Sequence, residues 1–323
     1  MNQDKNLEQD NSMGKNSGAG KISKGQKFLR IIKIVSIVIV GLVIMAAASS
    51  YLVIKSLERR MGLDPRTANE VRKIVSEPKE GDAWYILLVG SDRRPNWEAS
   101  RADTIMVLRV DPVKKTGHLL SISRDSRVEI QGHGFDKINH SYAFGGIPLL
   151  IRTVEDFTDL PINYFVQVDL QTFSESVDAV GGIYYNVGPD WKVSGVRHGM
   201  HLRDGKEALL LLRMRNFPAG DFTRIKHQQL FLNSAVKQML ASYANIPKLV
   251  AIVSRHSKTN MGAAQMLSLA KAFAGCKRDL EMAIIPGETG MFNGISYVFP
   301  NIKAKNELIE AMKDGRPFPS TSF

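Results

Sequence analysis

From Ile34 to Ile54 the chain runs for 21 residues without one charged side chain. At a helical rise of about 1.5 Å per residue, such a run spans roughly 30 Å, the thickness of a bilayer's hydrocarbon core. Lipid offers no partner to backbone amides, so the run predicts a single transmembrane helix. A cleaved signal peptide is the competing reading, because Ala46-Ala47-Ala48 resembles a cleavage site. An apolar signal core ordinarily has only about 7 to 15 residues, which favours a retained anchor. Lys21, Lys24, Lys27, Arg30 and Lys33 precede the run with no acid among them, while Lys55, Glu58, Arg59 and Arg60 follow it. That bias predicts a cytoplasmic N-terminus and an extracytoplasmic C-terminal part on a single-pass protein of the cell membrane.

The anchor divides the chain. Residues 1–33 begin with a stretch rich in Asn, Gln, Asp, Ser and Gly and read as a disordered cytoplasmic tail, followed by the transmembrane helix over 34–54. Residues 55–82 are charged, carry Pro65 and Pro78, and read as a stalk with a short helix across Ala68 to Val75. Residues 83–323 are left for one large domain, and the overall 44% hydrophobic and 23% charged content suits a packed core rather than a polytopic membrane protein. The formal net charge is +11, and residues 1–54 hold seven Lys/Arg against three Asp/Glu, which leaves 36 against 29 on the rest. The excess therefore belongs mostly to the main domain, where it suits a phosphate-bearing ligand or an anionic surface. The lone cysteine, Cys276, excludes an intramolecular disulfide.

Short apolar runs at Trp84 to Gly90, Thr104 to Val110 and His118 to Ile122 read as three successive strands of one sheet, the last two joined by a turn-prone segment at Asp111 to Gly117. Further strands are expected at Tyr164 to Val168 and Ile183 to Val187. Helical periodicity marks Gly146 to Thr158, Leu170 to Val180, Gly205 to Leu212 and Arg224 to Tyr243, with further helices near Ala263 to Ala274 and Ala304 to Lys313. Helices and strands interleave, so the expected fold class is α/β, with a mixed central β-sheet flanked by helices and preceded by one transmembrane helix.

Polar residues gather just after the strand ends, where open α/β sheets place their ligand crevices. Asp92 follows one strand and Asp103 precedes the next, so their carboxylates offer oxygens to a hard cation such as Mg²⁺. Turn formation is the bland alternative for such loop aspartates. Arg124, Arg213, Arg215 and Arg224 supply planar forks suited to phosphate oxygens, although scattered arginines on a basic protein more often face solvent. Arg213 and Arg215 point the same way if extended, after an apolar run that would carry them deep into the core; Arg224 and Gln228 share a helix face one turn apart, with Asp221 as an N-cap. The chain has no Walker loop, no HExxH and no GxSxG, and its seven histidines lack metal-ligand spacing. Its three tryptophans are too dispersed for a base-stacking platform, so nucleic acid is not an expected partner.

Seven blocks in order, LLVGSDRR, SRADTIMVLRVDP, LLSISRDSRVEI, KINHSYAFGG, VQVDLQTFSESVDAVGGI, GMHLRDGKEALLLLRMR and GDFTRIKHQQLF, make the chain resemble the LytR-CpsA-Psr family from Tyr85 to Gln238. The resemblance implies a short cytoplasmic tail, one transmembrane helix and an extracytoplasmic α/β domain. It implies that Asp92 and Asp103 hold Mg²⁺, with Mn²⁺ as the alternative, against a pyrophosphate. It further implies that Arg101, Arg124, Arg213, Arg215, Arg224 and Gln228 line the head-group site, with Asp92, Asp103 and Arg124 carrying the catalysis. Ser123, Ala102 and His227 stand where Pro, Ser and Arg are common in that family.

The implied activity is a phosphotransferase of cell-wall assembly. A peptidoglycan sugar hydroxyl attacks the pyrophosphate of an undecaprenyl-linked glycopolymer, such as a teichoic acid or capsule, and a phosphodiester forms. Two rival readings stay open at this point: a polyprenyl-pyrophosphate pyrophosphatase using water on the same site, and a membrane-anchored regulator that binds nucleic acid through its basic surface.

Overall fold

The computed structural model describes residues 63–91, 102–189, 191, 194–214, 221–240, 252, 257–274 and 280–319. The chain divides into units 1–53 and 54–323, and all of the described residues belong to the second. No helix among them is long and apolar enough to cross a membrane, and the expected span Ile34 to Ile54 lies outside them.

The first element is helix α1 (Pro65–Arg72). It starts three residues before the expected Ala68 because Asp64 caps it, accepting a 3.0 Å hydrogen bond from the Thr67 amide, and Pro65 occupies its first turn. Within the segment expected as a stalk, this helix buries Val71 in the core, and the Ser76 carbonyl accepts a bond from Asn163.

Three strands follow, β1 (Trp84–Ser91), β2 (Ala102–Asp111) and β3 (Thr116–Ile122), which share one sheet as expected and pair antiparallel in succession. A hairpin of β4 (Arg127–Ile130) and β5 (Gly134–Lys137) leads into helix α2 (Ile138–Thr158). This helix begins eight residues before the expected Gly146. Non-helical angles at Gly145 and Gly146 (φ 63°) interrupt it, so the periodic part read from the sequence is only the segment beyond the kink.

Next come β6 (Tyr164–Asp169), α3 (Leu170–Ala179), the ribbon β7 (Ile183–Val187) and β8 (Gly199–Arg203), α4 (Gly205–Arg213) and α5 (Asp221–Leu240). The described chain closes with β9 (Lys258–Thr259), α6 (Ala263–Ala274), β10 (Glu281–Ile284), the ribbon β11 (Gly287–Phe292) and β12 (Ile295–Pro300), and α7 (Ile302–Asp314).

The central sheet has six strands in the order β10-β3-β2-β1-β6-β9, with β1 parallel to β6 and β10 parallel to β3. It is mixed and covered on both faces, the expected architecture. Along β1 the side chains alternate: Tyr85, Leu87 and Val89 join the cluster built from α2 and α7, whereas Ile86 joins the one built from β3 and Met266 of α6. A third cluster, around Trp191 and Phe231, joins α3, α4 and α5 to the β7–β8 ribbon. Since β1, β3, β6 and β10 share one direction, their C-terminal ends open on one end of the sheet.

Candidate active site

That end carries the polar residues. The register between β1 and β2 slips after Gly90, which pairs with Thr104 while Ser91 pairs with Ala102, so Asp103 is the unpaired residue of a bulge. Bulges re-aim side chains, and this one turns a carboxylate into the crevice from a strand whose next residues are core. Gly90 gives it room: a Cβ there would lie 3.0 Å from that of Thr104, so a larger residue would push against the neighbouring strand.

Arg124 follows β3 in a tight turn closed by the Ser126 amide on the Ser123 carbonyl, at 3.0 Å, and its own carbonyl accepts from Asn139. Its Nη1 donates to Asp103 Oδ1, and its Nε stands 3.6 Å from Asp125 Oδ2. Asp125 is also held by Lys137 Nζ at 2.9 Å. The Arg124 and Asp103 side chains are 20% and 30% exposed, so the pair meets solvent and a ligand can reach it.

A cavity of about 280 Å³ opens beside this pair. Leu88, Val166, Val168, Phe173, Phe231 and Leu232 give it an apolar wall, and Ser91, Asp103, Asp169, Arg213, Arg224 and Gln228 line it with polar groups. A narrower crevice shares Asp103, Arg224 and Gln228 with it and adds Arg124. Arg224 and Gln228 lie one turn apart on α5, as expected, and Gln228 donates to the Leu212 carbonyl at 3.1 Å, fixing α5 against the end of α4. Arg224 is only 6% exposed.

Arg213 departs from expectation. It is the last residue of α4 rather than part of an extended segment, and it is exposed rather than deep. Asp204 caps this helix through the Glu207 amide, and Ala208 and Leu211 bury one face, so Arg213 falls outside that face, at the cavity's rim. Asp92, Arg101 and Arg215 lie outside the described residues, as does the Asp221 side chain. His227 packs edge-on against Trp191, ring centres 3.8 Å apart, and His140 bonds Asp136 at 2.8 Å.

Sequence reasoning missed Asp169 and Ser91. They are register partners on the parallel strands β6 and β1, so Asp169 stands across β1 from Asp103 on the cavity wall. Asp169 Oδ1 caps α3 by accepting from the Thr172 amide and hydroxyl, both at 2.7 Å. An aspartate closing an apolar strand and opening a helix was the available signal. Among the described residues no group of three or more His, Cys, Asp or Glu is poised around a metal position.

A three-layer α/β domain with arginines, a glutamine and a carboxylate at the mouth of an apolar cavity has the chemical features of a site for an amphiphilic phosphate, planar cationic forks beside an apolar wall. The chain belongs to the LytR_cpsA_psr family, whose model matches residues 50–314. Among its relatives, the polyisoprenyl-teichoic acid–peptidoglycan teichoic acid transferase TagU of Halalkalibacterium halodurans is 35% identical over 244 residues, covering 73% of this chain and 80% of the relative. Among solved structures, TagT bound to LIIa-WTA superposes with a TM-score of 0.66 at 25% identity, over 75% of this chain and 94% of that one. The LytR-CPS2A-psr family protein YwtF (TagT) with bound octaprenyl pyrophosphate lipid gives 0.62 at 25% identity, over 75% and 93%.

Proposed function

We propose that this chain is a transferase that moves a glycopolymer from a polyprenyl-pyrophosphate carrier to a peptidoglycan sugar hydroxyl. The observation that carries this reading is the continuity of the apolar cavity with the cluster of Asp103, Arg124, Arg224 and Gln228. A relative of the same fold holds octaprenyl pyrophosphate, which supports a lipid tail in the cavity and a pyrophosphate at its mouth. The names of the transferases among the relatives favour a teichoic acid as the polymer, and undecaprenyl is the carrier we assign.

In the proposed reaction the acceptor oxygen bonds to the sugar-proximal phosphorus, and the bond from that phosphorus to the bridging oxygen breaks. The lipid monophosphate leaves, and the acceptor's proton passes to a base at the mouth. Arg224 and Arg124 donate to phosphate oxygens and neutralise the charge that develops on them, ordinarily the largest catalytic contribution at such sites. Gln228 orients the head group from the same face of α5.

Mg²⁺, with Mn²⁺ as the alternative, is part of the proposal. Arg124 donates to Oδ1 of Asp103, and we assign the second oxygen, together with Asp92, to the hard cation. Bound there, the ion supplies Lewis-acid neutralisation of the pyrophosphate.

The test supplies lipid-linked polymer with and without insoluble peptidoglycan and follows covalent, wall-bound label. Label appearing on the wall with release of lipid monophosphate supports transfer. Polymer released into solution at the same rate with or without the wall makes the enzyme a pyrophosphatase instead.

The proposed location is the outer face of the cell membrane, with the N-terminus inside, on the strength of the apolar run and its basic flank. Protease added to intact cells stripped of their wall should digest the domain from Tyr85 onward. Protection until lysis reverses the orientation and removes the wall as a substrate.

A further inference from the structure

Beside the catalytic cluster, two short ribbons present an aromatic surface that donor binding leaves unused. In β4–β5, Arg127 pairs with Lys137 and Glu129 with Phe135, placing these four side chains on one face. In β11–β12, the pairs Phe292–Ile295, Gly290–Tyr297 and Glu288–Phe299 likewise share a face. The two faces meet at Arg127, whose guanidinium lies 4.6 Å from the ring centres of both Phe135 and Phe292 and 5.9 Å from that of Tyr297. Its Nε is buried with no hydrogen-bond partner among the described residues, so the rings are what hold it. Phe135 remains 57% exposed and Phe292 46%, which leaves the outer faces of both rings open. A Cβ at Gly290 would come within 3.0 Å of the Phe299 ring, so the glycine lets that ring lie across the ribbon.

This surface is tied to the catalytic cluster through one residue. The Asp125 carbonyl accepts from the Val298 amide of β12 at 2.9 Å, and its carboxylate binds Lys137 of β5 on one oxygen and faces Arg124 on the other. Asp136, itself a residue of β5, accepts from the Tyr297 hydroxyl of β12 at 3.3 Å and bonds His140. Burial opposes its charge, yet the bonds from His140, the Lys137 amide and Tyr297 hold its carboxyl below the usual range. Rings therefore alternate with fixed charges of both signs.

We propose that this platform holds the acceptor, a glycan strand of peptidoglycan, with sugar C–H faces on Phe135 and Phe292 and carboxylate substituents toward Arg127. The assignment rests on the transfer reading above. Exposed large apolar side chains gathered into one patch, here Phe135, Phe292, Ile295 and Phe299, ordinarily mark an interaction site. The electron-rich ring faces attract the positive edges of C–H bonds, and the interleaved charges suit the hydroxyls and carboxylates between those faces. A lipid surface fits less well, because Glu129 lies directly opposite Phe135 and Glu288 directly opposite Phe299. Inserting these rings into a bilayer would strip both carboxylates of water beside an anionic headgroup layer.

The test uses the full-length protein and the double variant Phe135→Ala/Phe292→Ala, measuring co-sedimentation with purified insoluble peptidoglycan and affinity for a polyprenyl pyrophosphate. Wall binding should weaken about tenfold or more with donor affinity unchanged, since two ring contacts are lost and the head-group site is untouched. The variant Phe135→Tyr/Phe292→Tyr keeps both rings and should bind the wall as the wild type does. Should the alanine pair lose the donor as well, Phe135→Ser, at the more exposed ring, carries the same comparison. Unchanged wall binding in the alanine or serine variant, or loss of it in the tyrosine variant, overturns the platform. So does a loss of binding to phosphatidylglycerol vesicles that leaves wall binding intact. A wild-type protein that binds no polyprenyl pyrophosphate overturns the transfer reading itself, a failure separate from any of these.

Discussion

Asp103→Ala should lower the rate of transfer about 100-fold or more while the protein stays folded. Asp103 occupies a bulge, outside the ladder that joins β1 to β2, so the substitution breaks no backbone pairing. Its ion pair with Arg124 is partly open to solvent, and exposed pairs contribute roughly 1 kcal/mol or less to stability. Arg124 also retains Asp125 at 3.6 Å, so its guanidinium is not stranded. The catalytic loss is larger, because one carboxylate both orients Arg124 and faces the cavity where the proposed cation and pyrophosphate meet. Asp103→Asn separates these roles: the amide oxygen can still accept from Arg124, but the charge is gone. Rates measured over a Mg²⁺ titration should put the asparagine variant near the alanine one, with melting temperatures close to wild type. Near-normal turnover by Asp103→Asn would leave the carboxylate only a structural acceptor and remove the cation from the proposal.

The central strands were legible because burial on both faces leaves a continuous apolar run, and Trp84 to Gly90 shows one. The ribbons β4–β5 and β11–β12 were not. Their strands are four to six residues long, they mix Glu129, Asp136 and Glu288 with phenylalanines, and only a partner ribbon explains the exposed rings. Pairing across roughly 160 residues of sequence, as between Arg127 and Phe292, leaves no trace in a local pattern. The start of α2 was hidden for a related reason. Lys137 offers no side-chain cap, and Gly145 and Gly146 look like a helix boundary although the chain continues helically beyond them.

Within the site, Arg224 and Gln228 could be placed together because a helix fixes the direction of residues four apart. Asp103 with Arg124 needed the sheet, since the bulge at Gly90 and the turn after β3 bring them into contact from positions 21 apart. Arg213 was misjudged because LLLLRMR was read as a chain crossing the core. Ala208 and Leu211, three apart, already carried the one-sided helical signature that puts Arg213 on the other side.

Arg224→Lys should weaken the binding of a polyprenyl pyrophosphate about tenfold or more, a loss of roughly 1.5 kcal/mol, as expected for charged hydrogen bonds. Arg224 lines both the cavity and the narrower crevice, and it is 6% exposed, so a phosphate bound to it is largely removed from water. In that setting a planar fork gives two parallel hydrogen bonds where a lysine gives a single point charge on a shorter reach. Positive charge is retained, so long-range attraction for the pyrophosphate survives and the whole deficit falls on geometry. Fold stability should change little, because Ile225, Gln229, Phe231 and Ala235, which carry the helix's other buried contacts, are not altered and the positive charge is kept. Lys226, exposed on the same helix, is the control: Lys226→Gln removes a charge nearby and should leave affinity within about twofold at physiological salt, where exposed charges are screened. Titration of each variant with octaprenyl pyrophosphate beside a thermal melt reads both quantities. Wild-type affinity in a folded Arg224→Lys protein would exclude Arg224 as a phosphate ligand, and the head group would then have to be held at the rim, by Arg213 and Arg124, rather than inside the crevice.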